Sequence, residues 1–350
     1  MTDIRIELHS DTQTRPTPGM RQAMAEAVVG DEQKDEDPSV NRLLDMAKEL
    51  FGKEAAVFMP TGTMCNQIAL MLHCRPGDEI LADRTAHILN YEGGGAAVFA
   101  GALIRPIEGD RGVFTAEQLE ENIRAVRRHT PKPRLVAIEQ TSNAGGGTVW
   151  PLETIRDVGA VARANDLAMH MDGARVLNAV VASNVTASDF AEPFDTLWLD
   201  LSKGLGCPFG AVLLGSKELI HEAWQWKQRI GGAMRQAGVI AAAGIYALEN
   251  NVDRLAEDHA NAKFFAERIA EIPGVAIDPM NVETNLVFFD VDETGMTAAQ
   301  VHDRLLEHGV RIGASGGMRM RAVTHLDVSR DQLAEAAEVL SSVVVEAAAA

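Results

Sequence analysis

Cysteine is nearly missing from the chain: there are three, Cys65, Cys74 and Cys207, and none belongs to a Cys-x-x-Cys pair. That scarcity speaks against a disulfide framework and a structural zinc, and it fits a reducing cytosol. No metal site is expected. Basic charge is also short, with 32 Lys and Arg against 50 Asp and Glu and a formal net charge of −18. Such a surface repels nucleic acid and anionic membranes, leaving small molecules and further copies of the chain as the expected partners. No apolar run approaches a membrane span, and Met1-Thr2-Asp3-Ile4-Arg5 leads into no apolar secretory segment. A cytoplasmic protein without a targeting signal is expected. Low-complexity linkers and internal repeats are absent as well.

What is present is enough for a sizeable core: 350 residues, 46% of them apolar, suffice for one large and one small domain. Short Val-, Ile- and Leu-rich runs alternate with helix-length amphipathic segments, which predicts βαβ units and an α/β fold with a mainly parallel sheet. The strand runs are Ala55–Met59, Glu79–Asp83, Leu103–Ile107, Leu135–Glu139, Leu167–Asp172, Thr196–Leu201 and Ala211–Leu214. Thr17-Pro18 opens a helix expected to stop at Gly30, and Ser39 is expected to cap another that ends at Gly52. Beyond about residue 250 the pattern becomes a long charged helix from about Asp253, a strand at Leu286–Val291 and further helices. The expected division is an N-terminal segment 1–20, a large domain 21–250 and a smaller α+β domain 251–350. Glu346–Ala350 is expected to be a fraying helix or a disordered tail.

Three strand-end motifs carry chemistry. Met59-Pro60-Thr61-Gly62-Thr63 runs from a strand into a helix, where free backbone N–H groups and a positive dipole end suit an anion; plain N-capping is the structural alternative. His170-Met171-Asp172-Gly173-Ala174-Arg175 puts a carboxylate at the end of an apolar strand, where open α/β sheets bind ligands. Asp172 either caps the next helix or keeps a pyridinium nitrogen protonated. Ser202-Lys203-Gly204-Leu205-Gly206 follows another apolar strand, so Lys203 is either a surface charge or a Schiff-base amine.

Taken together, these motifs make the chain resemble the L-threonine aldolases of the β-eliminating lyase family, within the aspartate-aminotransferase-like (fold type I) pyridoxal-phosphate enzymes. The resemblance runs nearly end to end. It also rests on Ser10-Asp11-Thr12 with Thr14-Arg15-Pro16-Thr17, Glu36-Asp37-Pro38, Met234-Arg235-Gln236-Ala237-Gly238 and Val323-Thr324-His325. It implies pyridoxal 5'-phosphate as cofactor, with Lys203 bonded to its aldehyde, Asp172 on its ring nitrogen, Gly62 and Thr63 on its phosphate and His87 stacked on its ring. By the same resemblance Ser10, Arg175 and Arg321 clamp the substrate carboxylate. Arg235 reaches a cofactor phosphate across a subunit interface, which implies a homo-oligomer, expected as a homotetramer built as a dimer of dimers. His129 matches a second active-site histidine of the family and also reads as part of a solvated loop. The implied reaction cleaves a β-hydroxy-α-amino acid such as L-threonine or L-allo-threonine to glycine and an aldehyde, with His87 or His129 as the base.

The chain departs from the family where Asp-x-Tyr-Gly-Glu-Asp-Pro becomes Glu32-Gln33-Lys34-Asp35-Glu36-Asp37-Pro38, so that Lys34 replaces a tyrosine. Lys34 is either a solvated charge in an acidic loop or a substrate contact that favours a second carboxylate. Leu8-His9-Ser10-Asp11-Thr12 stands for Leu-Arg-Ser-Asp-Thr, and Glu139-Gln140-Thr141-Ser142-Asn143 for Glu-Asn-Thr-His-Asn. The nearest rival is elimination or dehydration of a hydroxy-amino acid such as 3-hydroxyaspartate on the same cofactor. A nucleotide-binding regulatory module would need GxGxxG or GxxxxGK[ST] after the first strands, and neither is there.

Overall fold

A computed structural model describes residues 4–348. The chain divides into two compact units, Pro16–Val252 and Met1–Arg15 with Asp253–Ala350. Eleven strands occur in the order β1 (Ile6–Leu8), β2 (Ala55–Met59), β3 (Asp78–Asp83), β4 (Leu103–Ile107), β5 (Lys132–Glu139), β6 (Ala168–Asp172), β7 (Thr196–Asp200), β8 (Ala211–Gly215), β9 (Leu286–Asp290), β10 (Val310–Ala314) and β11 (Arg319–Val323).

The larger unit holds a seven-stranded sheet in the order β2-β8-β7-β6-β5-β3-β4. Only β8 runs antiparallel to its neighbours. β5, β6 and β7 are parallel, and their apolar runs are buried because helices cover both faces. The register sets Glu139 opposite Asp172 at the C-terminal ends of β5 and β6. Asp200 ends β7 next to them, so the central strands deliver their polar termini to one edge.

Capping departs from the expected positions twice. Asp37, not Ser39, caps the helix Pro38–Phe51, its side chain accepting from Val40 N at 3.0 Å. Asp37 also accepts from the backbone N–H groups of Gly30 and Gly238, so a fully buried carboxylate ties three segments together. The first helix, Pro18–Ala25, starts at the expected Thr17 cap but ends before Gly30. Gly30 instead packs its backbone on Glu36, whose carbonyl oxygen a Cβ would meet at 2.1 Å. Gly52 closes its helix in the left-handed conformation, as expected from the sequence.

The smaller unit carries the sheet β1-β10-β11-β9, with β1 parallel to β10 and the other pairs antiparallel. Ile6 and Leu8 of β1 enter a core with Phe265, Ile269, Val287, Phe289, Leu305 and Leu340. The first strand thus belongs with the C-terminal third of the chain. The charged helix spans Leu255–Ile269, and the last helix runs Arg330–Ala348; Ala349 and Ala350 of the expected tail lie outside the described residues.

Candidate active site

The strand ends of the larger unit converge on Asn66, in the helix Gly62–His73. Its Nδ2 donates to Asp172 Oδ2 at 2.8 Å and to Glu92 Oε1 at 2.6 Å. Its Oδ1 lies 2.7 Å from Trp198 Nε1 and 3.0 Å from His170 Nε2. Carboxylates accept and an indole donates, so the carboxamide has one possible orientation and His170 must carry its proton on Nε2. Sequence reasoning missed Asn66, Glu92 and Trp198, because a polar group inside an apolar helix or strand, or in a glycine-rich turn as Glu92 is, gives no local signal of what it meets.

Lys203 lies in the tight loop after β7. Its Nζ donates to Asp200 Oδ2 at 2.6 Å and stands 5.6 Å from the centre of the Trp198 ring. Ser202 donates to Asp200 Oδ1 from both its N and its Oγ. The lysine side chain is 20% exposed, so it is neither a solvated surface charge nor sealed away. The other face of Trp198 explains Gly62: a Cβ there would meet Trp198 Cη2 at 2.2 Å. Thr61 caps this helix, accepting from Met64 N at 3.1 Å, and leaves the turn at Gly62 and Thr63 open to solvent.

His87 starts a short helix. Its backbone N donates to Glu139 Oε2 at 2.8 Å, and its Nδ1 meets Glu92 Oε1 at 2.9 Å. That fixes the ring through one nitrogen and leaves Nε2 for other partners. Burial alone lowers the imidazole pKa, but the Glu92 hydrogen bond and the charges of Asp172, Glu92 and Glu139 outweigh it and raise the value. Burial, with Asp172 adding to it, pushes Glu139 up to about 7, and burial likewise raises Asp172. Ligand atoms of His87, Glu92 and Asp172 all lie within 4.8 Å of one another. The raised values of Glu139 and Asp172 record buried negative charge that a further cation would relieve, and the protonated nitrogen of an aromatic ring would be such a cation.

Arg175 is buried at the start of the helix Val176–Ser183, its backbone N bonded to Gln140 O. Arg235 is exposed and pairs with Asp31 at 3.1 Å. Behind that pair Lys227 and Glu32 form a fully buried ion pair, with Lys227 Nζ over the Trp224 ring. Lys34 is exposed in the one-turn helix Glu32–Lys34, next to Asp35, whose φ of 57° is left-handed where the family has glycine. His129 is not brought to the cluster. It lies in an exposed turn ahead of β5, and that strand's eight residues span roughly 25 Å before reaching Glu139. In the smaller unit Arg321 Nη2 donates to His9 O at 3.1 Å, which sets it beside Ser10, itself holding Thr12 N and Oγ1.

A pH effect follows from the histidines behind Asn66. Burial lowers His170 to about 3 and His73 to about 4, so both are neutral in the fold. A depressed histidine releases its proton on folding. Its contribution is therefore complete above about 6.5 and is lost as pH falls toward the folded value. The contribution of these two histidines is expected to fall between pH 6.5 and 4, opposite in sign to that of Glu139, and His73→Gln, which keeps a partner for Thr196, is expected to raise stability at pH 4 relative to pH 6.5 by calorimetry. An unchanged slope would remove His73 from the account.

The two units, the single antiparallel strand and the lysine and carboxylates at strand ends define an enzyme of the aspartate-aminotransferase-like, fold type I class. Solved structures share this fold: a threonine aldolase of Leishmania major has a TM-score of 0.81 at 20% identity, covering 97% of this chain and 99% of that one. A serine palmitoyltransferase of Sphingomonas wittichii has a TM-score of 0.77 at 17% identity, covering 98% and 88%. The beta-eliminating lyase family model matches residues 7–294, and the chain belongs to that family. Among its curated relatives, a low specificity L-threonine aldolase of Escherichia coli K12 is 43% identical over 333 residues, 95% of this chain and 97% of the relative. A low-specificity L-threonine aldolase of Arabidopsis thaliana is 36% identical over 329 residues, 93% and 92%.

Proposed function

We propose that the chain is a pyridoxal-phosphate-dependent lyase that cleaves L-threonine and related β-hydroxy-α-amino acids to glycine and an aldehyde. The observation that carries the reading is Lys203 and Asp172 joined through Trp198 and Asn66 within one buried network, in a chain 43% identical to a low specificity L-threonine aldolase. When bound, the cofactor supplies an electron sink for the pair left on Cα as Cα–Cβ breaks. Lys203 would be the amine that bonds to it, Asp172 would keep its ring nitrogen protonated, and the open helix start at Gly62 and Thr63, with Arg235 reaching across a subunit interface, would hold its phosphate. His87, fixed through Nδ1, would stack on the cofactor ring and leave Nε2 to take the β-hydroxyl proton. Arg175 would hold the substrate carboxylate and so select which bond is aligned for cleavage; for Arg321 and Ser10, which belong to the smaller unit, a carboxylate-binding role is supported by the family resemblance alone. The product assay decides: glycine and acetaldehyde from L-threonine support the reading, whereas ammonia and a keto acid identify an eliminase.

Lys34 bears on substrate choice. If its ammonium meets a second carboxylate, Lys34→Tyr is expected to lower kcat/KM on 3-hydroxyaspartate about fivefold, the size of an exposed charge pair, with little change on L-threonine. Equal changes on both substrates would make Lys34 a surface charge.

The homo-oligomer, a dimer of dimers, also remains a proposal. Its support is an apolar surface at Tyr91, Val98, Phe99 and Leu103, exposed by 62, 72, 49 and 53%, around the edge strand β4. A cytoplasmic location is proposed from the cysteine usage; among the described residues no helix is long and apolar enough to cross a membrane.

A further inference from the structure

We propose that Asn66 is a positioning residue: one carboxamide locks the carboxylate of Asp172 and the His87–Glu92 pair into a single frame, so that the proton on His87 and the charge on Asp172 are set together. The proposal rests on the cofactor reading above.

A carboxamide has two N–H donors and one oxygen with two lone pairs, and Asn66 uses all four. None of its partners is left to water. Asn66 and His170 are 0% exposed, Trp198 2% and Asp172 4%, and the Glu92 side chain is 0% exposed. A flipped amide would set an N–H group against the indole N–H and its oxygen against two carboxylates, so three of the four contacts would turn repulsive and only His170 could adapt, by changing tautomer. The acceptor side is braced in depth. With its proton on Nε2, His170 accepts at Nδ1 a hydrogen bond from Thr196 Oγ1 at 2.9 Å, and that hydroxyl in turn accepts from His73 Nε2 at 2.9 Å.

The coupling is written in one atom. Glu92 Oε1 meets both Asn66 Nδ2 and His87 Nδ1, while Gln67 Nε2 holds Oε2. Asn66 and His87 therefore share the lone pairs of a single oxygen, although they do not touch. Each hydrogen bond that Asn66 gives to Oε1 makes that oxygen a weaker base toward His87. The same nitrogen simultaneously stabilises the ionised form of Asp172. The other groups that act on His87 are Glu139, which accepts its backbone N–H, and Asp172; Lys203 acts on Asp172 with the opposite sign.

The test is the titration of the His87 ring, followed by NMR in histidine-labelled enzyme with and without pyridoxal phosphate and assigned with His87→Asn. Asn66→Ala is expected to raise the His87 midpoint by about half a unit or more, because Glu92 Oε1 then serves His87 alone. Glu92→Gln is expected to lower it. Cys65→Ala, at a neighbouring position of the same helix and equally buried, is expected to leave it in place. Trp198→Phe keeps most of the bulk, removes one donor to Asn66 Oδ1, and is expected to shift the midpoint upward by less than Asn66→Ala. An unchanged midpoint in folded Asn66→Ala, or an equal shift in Cys65→Ala, would overturn the proposal. Should Asn66→Ala not fold, an unchanged midpoint in Trp198→Phe overturns it. No substrate enters this measurement, so a wrong reaction assignment shows in the product assay while the His87 shift still decides the role of Asn66.

Discussion

Lys203→Ala is expected to lower turnover by roughly 10⁴-fold or more while leaving the fold in place, because a covalent amine has no substitute among its neighbours. Lys203 Nζ lies in a loop, 2.6 Å from Asp200 and 20% exposed, outside the apolar core clusters. Its loss does not orphan Asp200, which keeps two hydrogen bonds from Ser202. The loop conformation comes from the backbone instead: Gly206 N bonds to Lys203 O, Cys207 N to Leu201 O, and Gly206 adopts a φ of 80°. Unfolding transitions close to those of the parent are therefore expected. Borohydride reduction of the loaded enzyme followed by peptide mapping is expected to label Lys203. Label on the buried Lys227, or appreciable turnover by the variant, would remove Lys203 from its role.

The positions of Asp172 and Lys203 were legible in the sequence because Asp172 ends an apolar strand and Lys203 follows another three residues past its end, and in an open parallel sheet the strand ends are where ligand groups gather. The strands themselves announced their positions through short runs of Val, Ile and Leu. The Asp37 cap was legible in principle, since Asp37-Pro38 repeats the cap-then-proline signal of Thr17-Pro18, and the Ser39 assignment overlooked it. Gly30 was misread for a different reason. Its need for glycine comes from the approach of Glu36, a loop contact with no periodic signature. Asn66, Glu92, Trp198 and the Glu32–Lys227 pair were not legible, because each is defined by a partner from 26 to 195 residues away. The placement of His129 depends on which end of β5 a turn occupies, and resemblance along the chain does not report that.

Asp172→Asn is expected to keep cofactor binding in weakened form and to lose about 10²- to 10³-fold in kcat, the scale seen when one preorganised electrostatic partner is removed. The substitution is nearly isosteric. Asp172 accepts from Asn66 Nδ2 on Oδ2 and from Ala174 N on Oδ1, so a carboxamide keeps one of these bonds on its oxygen and turns its NH2 toward the other donor, which adds to the weakened binding. What disappears is the negative charge that keeps a ring nitrogen protonated, and with it the electron withdrawal that stabilises charge on Cα. The change also has a signature apart from catalysis. Asp172 is the charge that, after burial, helps hold Glu139 up to about 7. Neutralising it is expected to lower the Glu139 midpoint. Because a raised carboxyl contributes stability below its unfolded pKa and loses it as pH rises through the folded value, the loss of stability from pH 4.5 to 7 assigned to Glu139 is expected to shrink in the variant. Denaturation across that pH range reads the effect without substrate. A variant with near-parental kcat would sink the ring-nitrogen role of Asp172, whereas a lost kcat with an unaltered pH profile of stability would leave that role intact and show that Glu139 does not sense this charge.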